Sequence, residues 1–199
     1  MKSVNIPNDI TEDVSYLAAI ISGDGTMTKY FIKISDRKKE NIRFLENLIK
    51  NTFRVNSSMR QESENKWILE VDSKELVDYF NKKFQIPIGK KSENIKVPEI
   101  IKLSSEEIRK AYIQGWLDAE GYPENWNKPN TDKIFVRIRF GCKSKDVTDW
   151  INNEIRKMEI KVSNIWYNSK TFRFQIAEKN SVINFARYVG FRYPTKRVF

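Results

Sequence analysis

The chain has 199 residues, with 36 lysines and arginines against 26 acidic residues, a formal charge of +10 and no histidine. Without histidine there is no serine–histidine–aspartate triad, no cysteine–histidine pair, no histidine-ligated metal and no histidine base. One cysteine, Cys142, cannot close an internal disulfide, and no apolar run approaches membrane-spanning length.

The start of the chain (Asp9, Glu12, Asp13) is acidic and unlike a signal peptide, so the expectation is a soluble intracellular protein with no membrane partner. The first predicted helix runs through Ser15-Tyr16-Leu17-Ala18-Ala19-Ile20-Ile21-Ser22-Gly23-Asp24-Gly25. A strand follows at about Tyr30 to Ser35, then an amphipathic helix with Ile42, Leu45, Leu48, Ile49 and Phe53 on one face. Strands are predicted near Val55 to Gln61 and from Lys66 to Val71, where Trp67, Leu69 and Val71 alternate with Lys66, Ile68 and Glu70. A helix opened by Ser73 buries Leu76, Val77 and Phe80. The stretch from Phe84 to Leu103 holds Pro87, Gly89, Lys90, Lys91 and Pro98 and is a connector by its punctuation. Ser104-Ser105-Glu106-Glu107 has the spacing of a capping box.

A second helix then runs through Ala111-Tyr112-Ile113-Gln114-Gly115-Trp116-Leu117-Asp118-Ala119-Glu120-Gly121, matching the first in kind at each position. Tyr16 to Tyr112 and Asp24 to Glu120 both span 96 positions. The strand Ile134 to Phe140 places Ile134, Val136, Ile138 and Phe140 on one face and Phe135, Arg137 and Arg139 on the other. A helix capped by Ser144, strands near Val162 to Tyr167 and Thr171 to Ala177, and a last helix complete the second half. Outside the core, the strand faces carry basic and amide side chains, the types that bind phosphates and base edges, although basic residues on strands also serve as edge protection. A basic pI near 9.5 points the same way, to a polyanion, with plain lysine-richness as the alternative.

Ala19 and Gly23 lie four apart, as do Gly115 and Ala119, a spacing that lets two helix backbones approach closely. Each helix ends in an acid followed by glycine, with glycine expected as a left-handed terminator. A carboxylate is the wrong sign for a helix C-terminus, and if the helices pack in parallel two such ends converge. A hard divalent cation resolves that conflict. A single acid–glycine end is ordinarily a plain cap; two in one apolar frame at one offset point to a site.

Leu17 to Gly25 and Ile113 to Gly121 resemble the two motifs of a single-chain LAGLIDADG homing endonuclease, and the surrounding pattern resembles that family's αββαββα repeat. The resemblance implies an α+β fold of two pseudo-symmetric repeats, residues 1–84 and 104–199 with a linker at 85–103, forming a saddle of antiparallel sheets over duplex DNA. It implies hydrolysis of both strands across the minor groove, leaving 3′ overhangs at a long asymmetric target. The implied metal ligands are Asp24 and Glu120, aided by the carbonyls of Gly23 and Ala119. The implied cofactor is Mg2+, with Mn2+ able to substitute and Ca2+ binding without supporting cleavage. The implied supporting bases are Lys143, with Lys145 beside it, in the second half and Arg37 or Lys38 in the first, where Asp36 departs from the family pattern. Ser22 and Asp118 are treated as packing or local hydrogen-bonding residues. The expected DNA-binding residues are Lys29, Lys33, Arg60, Lys66, Arg137, Arg139, Lys143, Arg173 and Gln175.

On this reading the chain works as a monomer on double-stranded DNA, with its own intron RNA as a further partner. An RNA-binding maturase on the same scaffold is the alternative, and a cleavage-free DNA-binding repeat is a third. The short N-terminus suggests an intron-encoded origin, and the composition suits a prokaryotic cytoplasm, an archaeon above all, or an organelle.

Overall fold

Thr11 opens helix α1 (Glu12–Gly23) by accepting a hydrogen bond from the Val14 N–H at 3.3 Å. Glu12 and Asp13 then place negative charge in the first turn, where the helix dipole favours it. The computed structural model describes residues 4–90, 95–127 and 134–197. Lys91, expected in the connector, and the side chain of Ile134, expected on the inner face of its strand, lie outside the described residues.

After α1 come β1 (Gly25–Met27), β2 (Phe31–Asp36), α2 (Lys39–Phe53), β3 (Ser58–Ser63), β4 (Lys66–Asp72) and α3 (Lys74–Phe84). A short α4 (Glu99–Lys102) precedes α5 (Glu106–Glu120). The second half continues with β5 (Gly121–Asn127), β6 (Ile134–Cys142), α6 (Lys145–Lys157), β7 (Trp166–Asn168), β8 (Thr171–Ile176) and α7 (Lys179–Tyr188), and a 3-10 turn spans Pro194–Lys196. Two antiparallel four-stranded sheets result, ordered β1-β2-β4-β3 and β5-β6-β8-β7, so the halves share one topology in an α+β fold.

One face of each sheet lies on the core. In the first, Ile32, Ile34, Leu69 and Val71 join Leu45, Ile49, Leu76 and Phe80 of the helices. In the second, Ile138, Phe140, Phe174 and Ile176 join Val147, Ile151, Val182 and Phe185. Each such fully buried side chain contributes about 1.5–3 kcal/mol, which is why period-two strands and period-3.6 helices face one another here. Ser73 and Ser144 cap α3 and α6, accepting from Leu76 N at 3.1 Å and Val147 N at 3.2 Å.

Local details depart from the sequence pattern. β3 begins at Ser58 rather than near Val55, and β7 is only three residues long. The run before β7 is held differently: the Ser163 N–H donates to the Gln175 carbonyl at 2.9 Å and its hydroxyl accepts from Gln175 N at 3.0 Å. Ile68 is buried although its register with Ser35 and Arg60 puts it on the face away from the core, because β4 is an inner strand flanked by β2 and β3. The expected capping box does not form: the N-cap of α5 is Ser105, which makes no side-chain cap hydrogen bond, and the Ser104 hydroxyl donates instead to Ile100 O at 2.6 Å.

Gly25 and Gly121 are not left-handed terminators either. Gly121 has φ −107°, and the positive-φ glycines are Gly89 and Gly190. Their need for glycine is steric: each motif helix passes straight into a strand that folds back over its last turn. A β-carbon on Gly25 would stand 2.7 Å from Ile21 O, and one on Gly121 2.8 Å from Leu117 O.

Candidate active site and nucleic-acid interface

The two motif helices pack backbone to backbone. A β-carbon on Gly115 would lie 2.4 Å from the Tyr16 carbonyl oxygen and 2.7 Å from the Ala19 β-carbon; one on Gly23 would lie 2.5 Å from that of Ala119. Contacts advance from Ala19–Gly115 to Gly23–Ala119, about one turn further along both helices, so α1 and α5 run parallel and their C-terminal ends coincide. Near their starts, the Ser15 hydroxyl donates to Ile108 O at 2.8 Å.

This packing brings the two motif acids together. Asp24 is the C-cap of α1 and Glu120 the last residue of α5, both half-buried. The Glu120 γ-carbon lies 3.7 Å from the β-carbon position of Gly23, the residue before Asp24. Gly23 and Ala119 adjoin in the same contact, so all four expected metal-site residues are neighbours. Two helix C-termini already concentrate partial negative charge here. With two carboxylates and their adjoining carbonyls, the donor set is all oxygen, which suits a hard divalent cation.

A third element reaches this place that the sequence pattern does not reveal. Lys196, half-buried on the 3-10 turn, donates from Nζ to Gly121 O at 2.7 Å and to Asp118 O. Burial lowers its pKa, while Asp118, Asp24, Asp36 and Glu120 act in the opposite sense. The strap that carries it is anchored on Asp118, whose Oδ2 accepts from the Tyr16 hydroxyl at 2.7 Å and from the backbone N–H groups of Arg192 and Tyr193 at 2.9 Å each. Burial pushes the Asp118 carboxyl up to about 6, against the Tyr16 hydroxyl, Lys196 and those two N–H groups, which pull it down. Arg192 pairs with Asp13 at 2.6 Å and lies over the Tyr16 ring at 4.4 Å. Thr195 donates from its hydroxyl to Asn41 Oδ1 at 2.9 Å. The end of the second half thus straps both motif helices to α2. Pro194 follows Pro98 by the motif interval of 96, a signal that marks the segment, but Ile100 stands opposite Lys196, so the repeat could not single out the lysine.

A cavity of about 450 Å3 opens beside Glu120, lined also by Ser22, Gly23, Lys90, Trp116, Cys142 and Lys143. Lys143 is exposed at its edge, in the same site as Glu120. Arg37 and Lys38 are exposed in the turn before α2, where Lys38 is the N-cap. Asp36 organises that turn, accepting from Lys38 N at 2.6 Å and from Asn41 Nδ2 at 3.2 Å.

The faces turned away from the core carry the expected DNA-binding residues. On the first sheet, Lys33 pairs with Glu62 at 3.3 Å, Lys66 with Glu62 at 2.6 Å and Arg60 with Glu70 at 3.7 Å, while Lys29 is exposed in the β1–β2 turn. On the second, Arg139 stands opposite Gln175, and Arg173 crosses Gly141 with its γ-carbon 3.2 Å from where a β-carbon would be. The register adds Tyr122, Glu124 and Trp166 to this face, opposite Arg139, Arg137 and Arg173. Trp166 shares the outward face, whereas Tyr167 pairs with Phe172 and stays exposed, their rings 4.9 Å apart.

No family model matches the chain. It is 28% identical over 97% of its length to the glutamine–fructose-6-phosphate aminotransferase of Methanocaldococcus jannaschii, but spans only 17% of that protein. The homing endonuclease I-ApeI of Aeropyrum pernix is 24% identical over 77% of this chain and 69% of its own. Among solved structures, I-DmoI in complex with DNA and Mn superposes with a TM-score of 0.61 at 18% identity, covering 90% of this chain and 96% of that one. Full-length WhiA of Thermatoga maritima gives 0.62 at 15% identity, covering 94% of this chain and 58% of that one. The chain therefore has the two-repeat LAGLIDADG fold, with Leu17 to Gly25 and Ile113 to Gly121 as its paired motif segments.

Proposed function

We propose that this chain is a site-specific DNA endonuclease that hydrolyses both strands of a long asymmetric target across the minor groove, with Mg2+ held by Asp24 and Glu120. The observation that carries this reading is the parallel packing of α1 and α5, which makes the two motif acids neighbours. A pair of carboxylates, rather than a closed cage, fits a cation that keeps waters and accepts phosphate oxygens; no cluster of three or more metal-binding side chains occurs among the described residues. When bound, the metal supplies an activated water at neutral pH and stabilises charge at the phosphate.

The chain's own residues do the rest. Asp24 and Glu120 hold the cation with the carbonyls of Gly23 and Ala119, and Lys143 at the cavity edge contacts the scissile phosphate. Lys196 fixes the backbone at the end of the second motif helix. Arg37 and Lys38 stand in the turn after β2 as the first-half counterparts of Lys143. The outward strand residues position the duplex and read its bases. Both motif helices belong to one chain, so a single copy completes the site and a monomer suffices.

Incubation of the protein with randomised duplexes and Mg2+, followed by sequencing of cut ends, tests this. The expected products are paired nicks leaving 3′ overhangs, supported also by Mn2+, not by Ca2+, and stopped by a chelator. Absence of cutting across the library in both Mg2+ and Mn2+ overturns the reading.

A further inference from the structure

On the outward face of the second sheet, one carboxylate organises two arginines. Glu124 Oε2 accepts from Arg137 Nε at 2.6 Å and lies 3.5 Å from Arg139 Nη1. Gln175 Oε1 lies 3.4 Å from Arg137 Nη1, and Gln175 stands opposite Arg139 in the register. The two arginine side chains are only 17% and 25% exposed, so the free protein already holds them in place. The first sheet is built differently: Lys33 and Lys66 share Glu62 as point charges, and Arg60 is 51% exposed.

We propose that Glu124 is a specificity-determining positioning residue, holding Arg137 and Arg139 as a fixed pair that reads two guanines two base-pair steps apart in the half-target bound by the second sheet. Arginine is the side chain that grips guanine through O6 and N7 together, and the grip requires a defined direction of the planar fork. A phosphate contact tolerates a loosely held point charge; a carboxylate on the Nε edge of Arg137 and beside Nη1 of Arg139 is a device for direction. Residues two apart on a strand are separated by about 6.8 Å, close to two base-pair steps of about 3.4 Å each. Ordering both side chains before DNA arrives also removes part of the entropic cost of binding.

The inference rests on the reading that duplex DNA lies on this face, and it is tested by binding alone. The full chain is mixed with randomised duplexes in chelator, and the retained duplexes are sequenced. Wild type should select two guanines with one position between them, each preferred about tenfold or more over any other base. Arg137→Lys should flatten one of these columns and Arg139→Lys the other, while Glu124→Ala and Glu124→Gln flatten both and the columns read by the first sheet persist. Should Glu124→Ala fail to fold in a melting scan, the isosteric Glu124→Gln decides. No spaced guanine pair in wild type, or a pair that survives both Glu124 variants, overturns the proposal. A pair selected by a protein that cuts nothing in either Mg2+ or Mn2+ keeps this inference and ends the endonuclease reading, whereas cutting at a site without the pair does the reverse.

Discussion

Lys196 Nζ donates to the Gly121 carbonyl oxygen at 2.7 Å, joining the end of the chain to the end of the second motif helix. Carbonyls at a helix C-terminus lack intrahelical partners, and an ammonium group there satisfies them and offsets the local negative charge. Asp24, Asp36, Asp118 and Glu120 all act on this ammonium, so the lysine offsets part of the charge of a concentrated acidic site. Lys196→Met keeps the aliphatic stem and removes the charge. The expected result is a fall in kcat of about 10- to 100-fold with KM for DNA little changed, the scale typical of losing a group that orients metal ligands. An unchanged kcat in single-turnover cleavage refutes this positioning role.

Asp24 and Glu120 belong to different halves, and the residues before them, Gly23 and Ala119, meet where the two motif helices touch. If they hold the cation, then Asp24→Asn or Glu120→Gln should each abolish cleavage of at least one strand while duplex binding persists. A gel that resolves nicked, linear and intact plasmid reads the outcome, and a melting temperature within a few degrees of the parent separates lost chemistry from unfolding. Undiminished double-strand cutting by both variants is incompatible with the mechanism.

Gly115 is the tightest point of the helix pair, and its neighbour there is backbone. A β-carbon would meet Tyr16 O at 2.4 Å, which no rotamer change can relieve. Gly115→Ala should cost about 1–3 kcal/mol or more and lower the melting temperature by about 3–10 °C. Gly141→Ala is the control: its new β-carbon meets the Arg173 γ-carbon at 3.2 Å, and a flexible side chain can move aside. Equal effects at the two positions contradict the close helix approach.

The organisation of the molecule was legible because it is periodic. Small residues at four-residue spacing marked the helix contact, alternation marked the inner faces of β6 and β8, and the 96-residue offset paired the halves. Four kinds of feature escaped. The burial of Ile68 depends on β4 having neighbours on both sides, which no single strand's pattern carries. The role of Gly25 and Gly121 depends on a strand folding back over a helix end rather than on φ. Lys196 and Glu124 depend on contacts across 75 and 13 residues, made by segments without a periodic signature. Pairing of Lys33, Lys66 and Arg60 with carboxylates was likewise hidden, because strand register decides which charges meet.

Glu62 offers a test of the first half's part in DNA binding. It accepts from both Lys33 and Lys66, and those two hydrogen bonds hold its carboxyl below its ordinary value. If duplex DNA lies on this face, its phosphates must compete with that carboxylate for the same two ammonium groups. Glu62→Gln removes the competing charge and leaves the side chain's shape, and because the site is exposed the melting temperature should stay where it is. Affinity for a non-specific duplex should rise, and the slope of log affinity against log salt should steepen by about one, as expected for one more phosphate neutralised. Fluorescence anisotropy across a KCl series measures both. An unchanged slope with unchanged affinity removes Lys33 and Lys66 from the DNA-binding surface and confines them to holding β2 and β3 in place.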